Sequence, residues 1–178
     1  MRVKQVIRVA EWGDADSLAA VHVESWRAAY RGLVPQHVLD GVSLARQADI
    51  WRDILRSRDV QTLVVVGGED SEIGGFVNVG CSRDEGAASS VGELRKIYLR
   101  EQWWNTGAGR LLHDVGLDLL RVGFDEATLW VLDGNERAGS FYARRGWRAD
   151  GAVKSQERGG VALPELRYRR ALEVTGDC

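Results

Sequence analysis

Strand-like and helix-like segments alternate along this chain, and that alternation limits its fold more than any other feature of the sequence. The clearest strand is the β-branched run at 62–66, which is typical of a strand buried on both faces. Apolar periodicity predicts one helix at 14–30, capped by Asp14 or Asp16, and a second helical stretch at 35–56, which divides near Ser43. Further strands are predicted at 6–10, 73–81, 91–99, 127–132, 147–153 and 165–172, and further helices at 106–122 and 136–145.

The order of these segments predicts how the strands pair. A turn at 67–71 joins two strands into a hairpin, and a glycine-rich loop at 159–160 joins the last two strands. Hairpins pair antiparallel, whereas the helices between strands in the second half require crossovers and some parallel pairing. We therefore predict an α/β fold in which helices flank a mixed, mostly antiparallel central sheet of about seven strands.

Length, charge and cysteine content exclude several classes of protein. A chain of 178 residues is expected to form one domain, 1–178, with its core at about 6–172. A net charge of −2 offers no basic surface for nucleic acid. We expect a cytoplasmic protein without membrane contact, because 1–16 contains no apolar leader and no stretch is long enough to span a bilayer. Cys81, Cys178 and the three histidines lack metal-ligand spacing, so no metal is expected.

The most informative segment is a buried strand, a loop with Gly107 and Gly109, and an amphipathic helix, in that order. Backbone N–H groups at such a helix start bind anions, and glycine lets phosphate oxygens approach the backbone closely. A Walker A loop requires Gly-Lys-Ser/Thr, where this chain has Gly-Arg-Leu at 109–111. A dinucleotide fingerprint requires glycine at the position of Leu112. Both nucleotide motifs are therefore excluded.

The same segment resembles the phosphate loop of the GNAT superfamily, the acetyl-CoA-dependent N-acetyltransferases. That loop reads Gln/Arg-x-x-Gly-x-Gly/Ala and follows a strand that ends in a pattern like Ile-Tyr-Val. This chain has Ile-Tyr-Leu at 97–99 and Trp-Asn-Thr-Gly-Ala-Gly at 104–109. Trp104 departs from the pattern and removes one polar side chain, for which Arg110 can compensate by contacting a phosphate.

A second motif at 129–147 strengthens the resemblance. It combines a strand, an Asn-x-x-Ala helix start at Asn135, a Phe-Tyr pair at 141–142 and a Gly-Trp pair at 146–147. The two motifs stand in the family's order and spacing. The segment 25–35 also looks like the helix-loop-helix of many bacterial members, so the resemblance covers nearly the whole chain.

The resemblance implies a function as well as a GNAT-like fold. It implies transfer of an acetyl group from acetyl-CoA to a primary amine of a small molecule or amino acid, directly within a ternary complex and without a metal. The acceptor partner would be a small-molecule amine, and a homodimer stays open. The alternatives are an acetyltransferase for protein N-termini or lysines and a non-catalytic acyl-CoA-binding module.

The resemblance also implies where acetyl-CoA binds. Pantetheine would pair with the backbone of Ile97 and Leu99, the diphosphate would meet the amides at 105–110, and Asn135 would hold the cofactor arm. The implied cofactor-binding set is Ile97, Tyr98, Leu99, Trp104, Asn105, Thr106, Gly107, Ala108, Gly109, Arg110, Asn135 and Tyr142.

Two residues are candidates for the proton transfers that amine acetylation requires. A lysine-like ammonium, of pKa near ~10.4, must lose a proton before it attacks a thioester. Glu93 lies on the cofactor strand where many family members place a catalytic glutamate, although a solvent-facing strand glutamate is the alternative. Tyr142 matches the family's tyrosine that protonates the leaving sulfur, and a tyrosine of the core is the alternative.

The acceptor side carries weaker signals. Trp26 and Tyr30 are one helical turn apart and share a face, which forms either an acceptor wall or part of the core. Glu165 either attracts a cationic amine or is simply an exposed glutamate. His22 faces either the acceptor or the surface, and the Arg-Arg pair at 144–145 either contacts the adenosine phosphate or caps a solvated helix end.

Overall fold

The sheet and helices follow the predicted order along the chain. The computed structural model describes residues 5–68 and 71–172, so Cys178 lies outside the described residues. The helices are α1 Ala15–Ala29, α2 Gln36–Asp40, α3 Leu44–Arg56, α4 Ala108–Arg121 and α5 Glu136–Ala143. The strands are β1 Val6–Val9, β2 Val60–Gly67, β3 Glu72–Cys81, β4 Val91–Leu99, β5 Glu126–Leu132, β6 Arg148–Arg158 and β7 Val161–Ala171.

All seven strands join one mixed sheet in the order β1-β2-β3-β4-β5-β7-β6. Only β4 and β5 pair parallel, and α4 makes the crossover between them. Every other neighbouring pair is antiparallel. The predicted fold class, a mixed and mostly antiparallel sheet with flanking helices, is confirmed.

Local capping explains why the stretch at 35–56 is two helices. α2 ends at Asp40 with Gly41 as its C-cap, and α3 begins after Ser43, whose Oγ accepts a hydrogen bond from the Arg46 N–H at 3.3 Å. A serine oxygen at this position satisfies one of the backbone N–H groups that a helix start leaves without a partner. The predicted division near Ser43 is therefore confirmed.

The last hairpin is longer than the sequence suggests. β6 and β7 meet at a two-residue turn, in which Gly159 and Gly160 have φ of +56° and +75°. Two successive residues at positive φ make a turn that matches the twist of a hairpin, and glycine adopts that conformation without strain. The predicted strand ends at Val153 and Glu165 are wrong, because residues 154–158 of β6 and 161–164 of β7 still pair across the hairpin.

The core lies on both faces of the sheet. In β2, Leu63 and Val65 pack on the α4 side, whereas Val64 and Val66 pack on the side of α1 and α3. β2 is thus buried on both faces, as its β-branched run predicts. A third cluster joins α1, α2 and the β6–β7 hairpin through Trp26, Leu39 and Leu163. None of the helices in the described part of the chain is long and apolar enough to cross a membrane.

The functional cleft opens where β4 and β5 separate. Their parallel pairing is confined to Val91–Glu93 against 126–128. Beyond it, the pairing of β4 with β3 shifts by one residue, which leaves Arg95 as a bulge. A bulge bends the strand that carries it and increases its twist. The second half of β4 therefore diverges from β5 and leaves a gap in the sheet.

Candidate active site

A cleft of about 460 Å³ fills the gap between β4 and β5. β4, β5, α5, the end of α1 and the start of α4 all contribute residues to it. Most of the predicted site residues line this cleft, namely Tyr30, Ile97, Tyr98, Leu99, Trp104, Asn105, Gly107, Gly109, Arg110, Asn135 and Tyr142. The predicted residues that do not line it are Trp26, Glu93, Thr106, Ala108 and Glu165.

The backbone of β4 is available to a ligand in the gap. The Arg100 N–H donates to the Gly74 carbonyl of the preceding strand at 2.9 Å. Because backbone groups alternate in direction along a strand, those of Leu99 and Ile97 point away from β3 and toward the gap. Trp104 Nε1 donates to the Leu99 carbonyl at 3.0 Å. A peptide carbonyl has two lone pairs, so this oxygen accepts one further hydrogen bond.

The start of α4 presents open N–H groups to the same cleft. Gly107 is its N-cap, with φ of +95°, a conformation that favours glycine. Within the described residues, the N–H groups of Gly109 and Arg110 have no hydrogen-bond partner. A Cβ at Gly109 would lie 3.1 Å from Leu99 Cδ1, so a side chain there would crowd the cleft. This helix start therefore has the backbone geometry of an anion site.

Arginines surround that helix start, and the sequence had not indicated one of them. The guanidinium carbon of Arg137 lies 3.4 Å from the centroid of the Trp104 ring. This arrangement brings a cation from α5 to the position where Trp104 replaces the polar residue of the loop motif. Arg110 and the pair at 144–145 also line the cleft. No motif in the sequence predicts this role for Arg137, and the one hint is its place in the first turn of α5, directly after Asn135.

Asn135 and Tyr142 are brought to the cleft by the same short helix. Asn135 caps α5, because its Oδ1 accepts a hydrogen bond from the Ala138 N–H at 3.1 Å. Its side-chain NH₂ group still has donors to offer. The Tyr142 hydroxyl makes no hydrogen bond with any residue that the structure describes. Burial raises the pKa of Tyr142 above its usual value of 10, so the phenol keeps its proton.

Glu93 is buried and ion-paired rather than solvent-facing. Only 2% of its surface is exposed. Its Oε2 accepts hydrogen bonds from Arg83 N and Nε, both at 3.0 Å, and its Oε1 accepts one from Arg83 Nη2 at 2.6 Å. The sequence did not indicate this partner, which lies on the loop between β3 and β4. Oε2 thus has both lone pairs engaged, whereas Oε1 retains one.

The predicted acceptor residues do not all reach the cleft. Tyr30 lines it, and Trp26 packs against Tyr30 with ring centroids 4.3 Å apart but belongs to the core. Glu165 lies 3.6 Å from Lys154 and accepts a hydrogen bond from Gln156. In the described ranges, no group of three or more His, Cys, Asp or Glu side chains is arranged to hold a metal.

His22 is buried beneath the cleft and stacks on Tyr98, with ring centroids 5.0 Å apart. Burial, with Lys96 and Arg158 nearby, lowers the pKa of His22 to about 3. In the unfolded chain His22 takes up a proton near pH 6.5, whereas in the folded chain it does so only near pH 3. Lowering the pH from 6.5 toward 3 therefore favours unfolding.

We expect a His22→Phe variant to lose less stability than the parent when the pH falls from 7 to 5. The difference is about 2 kcal/mol, because each pH unit below 6.5 contributes ~1.4 kcal/mol. Urea unfolding at the two pH values measures it. The carboxylates titrate equally in both proteins and cancel, so equal losses of stability would contradict the burial of a neutral His22.

Comparison with known proteins places these features in a wider context. Residues 22–147 match the sequence model described as the Acetyltransferase (GNAT) family. A protein of Bacillus subtilis (strain 168), described as the uncharacterized N-acetyltransferase YuaI, is 34% identical over 130 residues. That match covers 72% of this chain and 72% of the relative.

Solved structures share the architecture at low sequence identity. The PaiA N-acetyltransferase from Thermoplasma acidophilum, solved in complex with coenzyme A, is 20% identical and superposes with a TM-score of 0.71 over 94% of this chain and 99% of its own. An N-acetyltransferase from Staphylococcus aureus Mu50 is 14% identical, with a TM-score of 0.74 over 96% of this chain and 99% of its own. These similarities show a common fold.

Proposed function

This chain belongs to the acetyltransferase (GNAT) family, and from that premise we propose that it transfers an acetyl group from acetyl-CoA to a primary amine of a small molecule or amino acid. One observation carries the proposal. The open backbone of β4, the open N–H groups of α4 and the free Tyr142 hydroxyl converge on one cleft. The coenzyme A bound to the similarly folded PaiA protein supports the choice of cofactor. The composition supports a cytoplasmic location.

The residues present fit acetyl-CoA. The N–H groups of Gly109 and Arg110, with the Arg137 guanidinium nearby, suit a diphosphate. The backbone of Ile97 and Leu99 suits the amides of pantetheine, which would pair there like an added strand. When bound, acetyl-CoA supplies the acetyl group as a thioester. The chain's own task is then to orient that group, to remove a proton from the amine and to provide one for the sulfur.

Glu93 is our proposed proton acceptor. An ammonium of pKa near ~10.4 must be deprotonated before its nitrogen attacks, and a carboxylate is a suitable base. The Arg83 guanidinium donates two hydrogen bonds to the Glu93 carboxylate and pairs with it as a counterion. Its Oε1 has the lone pair that remains, and because Glu93 does not line the cleft, the proton would reach it from the amine through water. Transfer of the acetyl group without a covalent enzyme intermediate is supported by the position of Cys81, which is exposed at the end of β3 and does not line the cleft.

Tyr142 is our proposed proton donor for the sulfur. Its phenol lines the cleft, keeps its proton and has no hydrogen-bond partner among the described residues. A hydroxyl that is held in a cleft without a partner is free to bond a ligand atom. The Asn135 side chain, two helical turns earlier, lines the same cleft and would hold the cofactor arm beside it.

We expect Tyr142→Phe to lower kcat by at least about tenfold, with little change in stability or acetyl-CoA affinity. The ring and its packing remain, whereas the proton donor is lost. Single-turnover rates with a fast acceptor measure the effect on chemistry. Tyr168→Phe is the matched control, because that phenol packs on the same core and does not line the cleft. A Tyr142→Phe variant with the parent's single-turnover rate would exclude the donor role.

Thiol release from acetyl-CoA in the presence of a panel of amines tests the function itself. The panel contains small amines, amino acids, and peptides with a free N-terminus or lysine. Release with small amines or amino acids is the expected result. Release with peptides alone would favour a protein acetyltransferase. Binding of acetyl-CoA without release for any amine would favour a non-catalytic binding module.

A further inference from the structure

Lys96 is a charged residue of the cleft that the cofactor does not account for. It lies on β4, two residues before Tyr98, so both side chains project from the same face. That face is covered by α1 and α3, and Lys96 Nζ lies 5.8 Å from the centroid of the Trp51 ring. Ile97 and Leu99 pack instead on the α4 side, toward the helix start that suits the diphosphate. Lys96 therefore belongs to the other side of the cleft, where an acceptor would enter.

The ammonium of Lys96 has no counterion in the described chain. The charged groups that act on it are three guanidiniums, those of Arg83, Arg158 and Arg95. The two carboxylates of this region are already engaged, since Glu93 accepts three hydrogen bonds from Arg83 and Glu165 pairs with Lys154. Burial and the neighbouring cations lower the pKa of Lys96 to about 8. A largely buried ammonium among cations is unfavourable unless an anion joins it.

Two further donors on α1 are also without partners. Ser25 Oγ and Trp26 Nε1 are buried, and neither has a hydrogen-bond partner among the residues described. Ser25 is 1% exposed and lines the same cleft as Lys96. Buried polar groups are nearly always hydrogen-bonded, so the unpartnered Ser25 hydroxyl, which lines the cleft, indicates a ligand acceptor atom. An oxyanion would satisfy the ammonium and the hydroxyl together.

The β6–β7 hairpin adds a second cation, Arg158, which has no acidic partner among the residues that the structure describes. Its tip is held against α2, where the Gly159 carbonyl lies 3.2 Å from His37 Nε2. This docking brings the guanidinium carbon of Arg158 to 5.0 Å from the centroid of the Trp26 ring. The hydrogen bond of Arg158 is to the side-chain oxygen of Gln156, which is neutral. Arg158 therefore adds positive potential to the acceptor side without neutralising it.

We propose that Lys96, assisted by Ser25 and Arg158, binds a carboxylate carried by the acceptor, so that the substrate class is small amines bearing an acidic group, such as free amino acids. The inference rests on the proposed acetyl transfer and names the acceptor within it. A carboxylate forms charge-assisted hydrogen bonds with Lys96 and removes the repulsion that the cations otherwise exert on one another. A primary amine without an anion would bring another positive charge toward these cations.

Paired acceptors test the proposal. Each pair consists of an amino acid and its α-amide, which share the side chain and differ in the carboxylate; kcat/KM is compared per neutral amine, because removing the carboxylate also lowers the amine pKa. We expect kcat/KM to favour the acid by about tenfold or more, because hydrogen bonds between charged groups are among the strongest. In Lys96→Met this preference should fall to about threefold or less, mainly through a higher KM for the acid. Lys96→Arg should restore part of it.

Controls separate this proposal from the proposed function. Arg121→Met removes a cation from the far end of α4, where Arg121 pairs with Asp118, and should leave the acid preference unchanged. Thiol release from the amides with no acid preference would overturn the carboxylate site while the acetyl transfer stands. Absence of release from every amine would instead overturn the acetyl transfer.

Calorimetry of acetyl-CoA with Lys96→Met should show the parent's affinity, and a large loss of affinity would assign Lys96 to the cofactor and overturn the proposal. An equal loss of kcat for acids and amides would likewise contradict it.

Discussion

Replacing Gly109 with glutamate is expected to abolish acetyl-CoA binding while the protein stays folded. Gly109 lies in the first turn of α4, where its own N–H and that of Arg110 are open to the cleft. A side chain at this position starts 3.1 Å from Leu99 Cδ1 and extends into the space proposed for the diphosphate. A carboxylate there would also bring like charge to the phosphates. We expect an affinity at least about a hundredfold lower, since two charge-assisted hydrogen bonds are lost.

Matched glutamine and glutamate variants separate bulk from charge at this position. Gly109→Gln adds nearly the same volume without the charge and should bind acetyl-CoA more tightly than Gly109→Glu. Gly123→Glu is the control for the glycine-to-glutamate change, because a Cβ at Gly123 meets nothing within 4 Å. Calorimetry measures the affinity, and circular dichroism with thermal unfolding checks the fold. A folded Gly109→Glu protein with the parent's affinity would show that the cofactor does not use this helix start.

Replacing Glu93 with glutamine is expected to lower kcat/KM by about 10²–10⁴-fold, the usual contribution of a general base. The loss should grow as the pH falls. Without the base, the variant depends on amine that is already neutral in solution, and that fraction decreases tenfold for each pH unit below the amine pKa. Profiles of kcat/KM against pH for the parent and variant measure this. A loss below about threefold at every pH would remove Glu93 from the mechanism.

The pairing with Arg83 requires a second variant, because Glu93→Gln also changes a buried ion pair. Arg83→Gln breaks the same pair and keeps the carboxylate. Because the carboxylate remains, the base hypothesis predicts that Arg83→Gln keeps more activity than Glu93→Gln and that its loss of kcat/KM does not grow as the pH falls. If Glu93 only anchors Arg83, both variants should lose similar activity with unchanged pH dependence. The two pH profiles therefore distinguish a base from a structural ion pair.

The sequence alone predicts those features that depend on neighbours along the chain. The β-branched run at 62–66 predicts a doubly buried strand, and β2 has apolar residues on both faces of the sheet. Ser43 predicts a helix start, and its Oγ caps α3. The glycines at 107 and 109 predict an anion-binding helix start, and the structure gives that start its open N–H groups. Periodicity, capping and glycine conformation act within a few residues, so the sequence contains their signals directly.

The tertiary structure alone decided which distant side chains meet. Arg83 reaches Glu93 across the turn between two strands, and Arg137 reaches Trp104 only because α5 packs beside the start of α4. Lys96 lacks a counterion among the described residues because its charged neighbours are three arginines, and because the nearby carboxylates pair with other residues. Such contacts follow from strand order, from the bulge at Arg95 and from the docking of the last hairpin. No local periodicity encodes them, because the energy that selects them arises only when the packed sheet brings distant groups together.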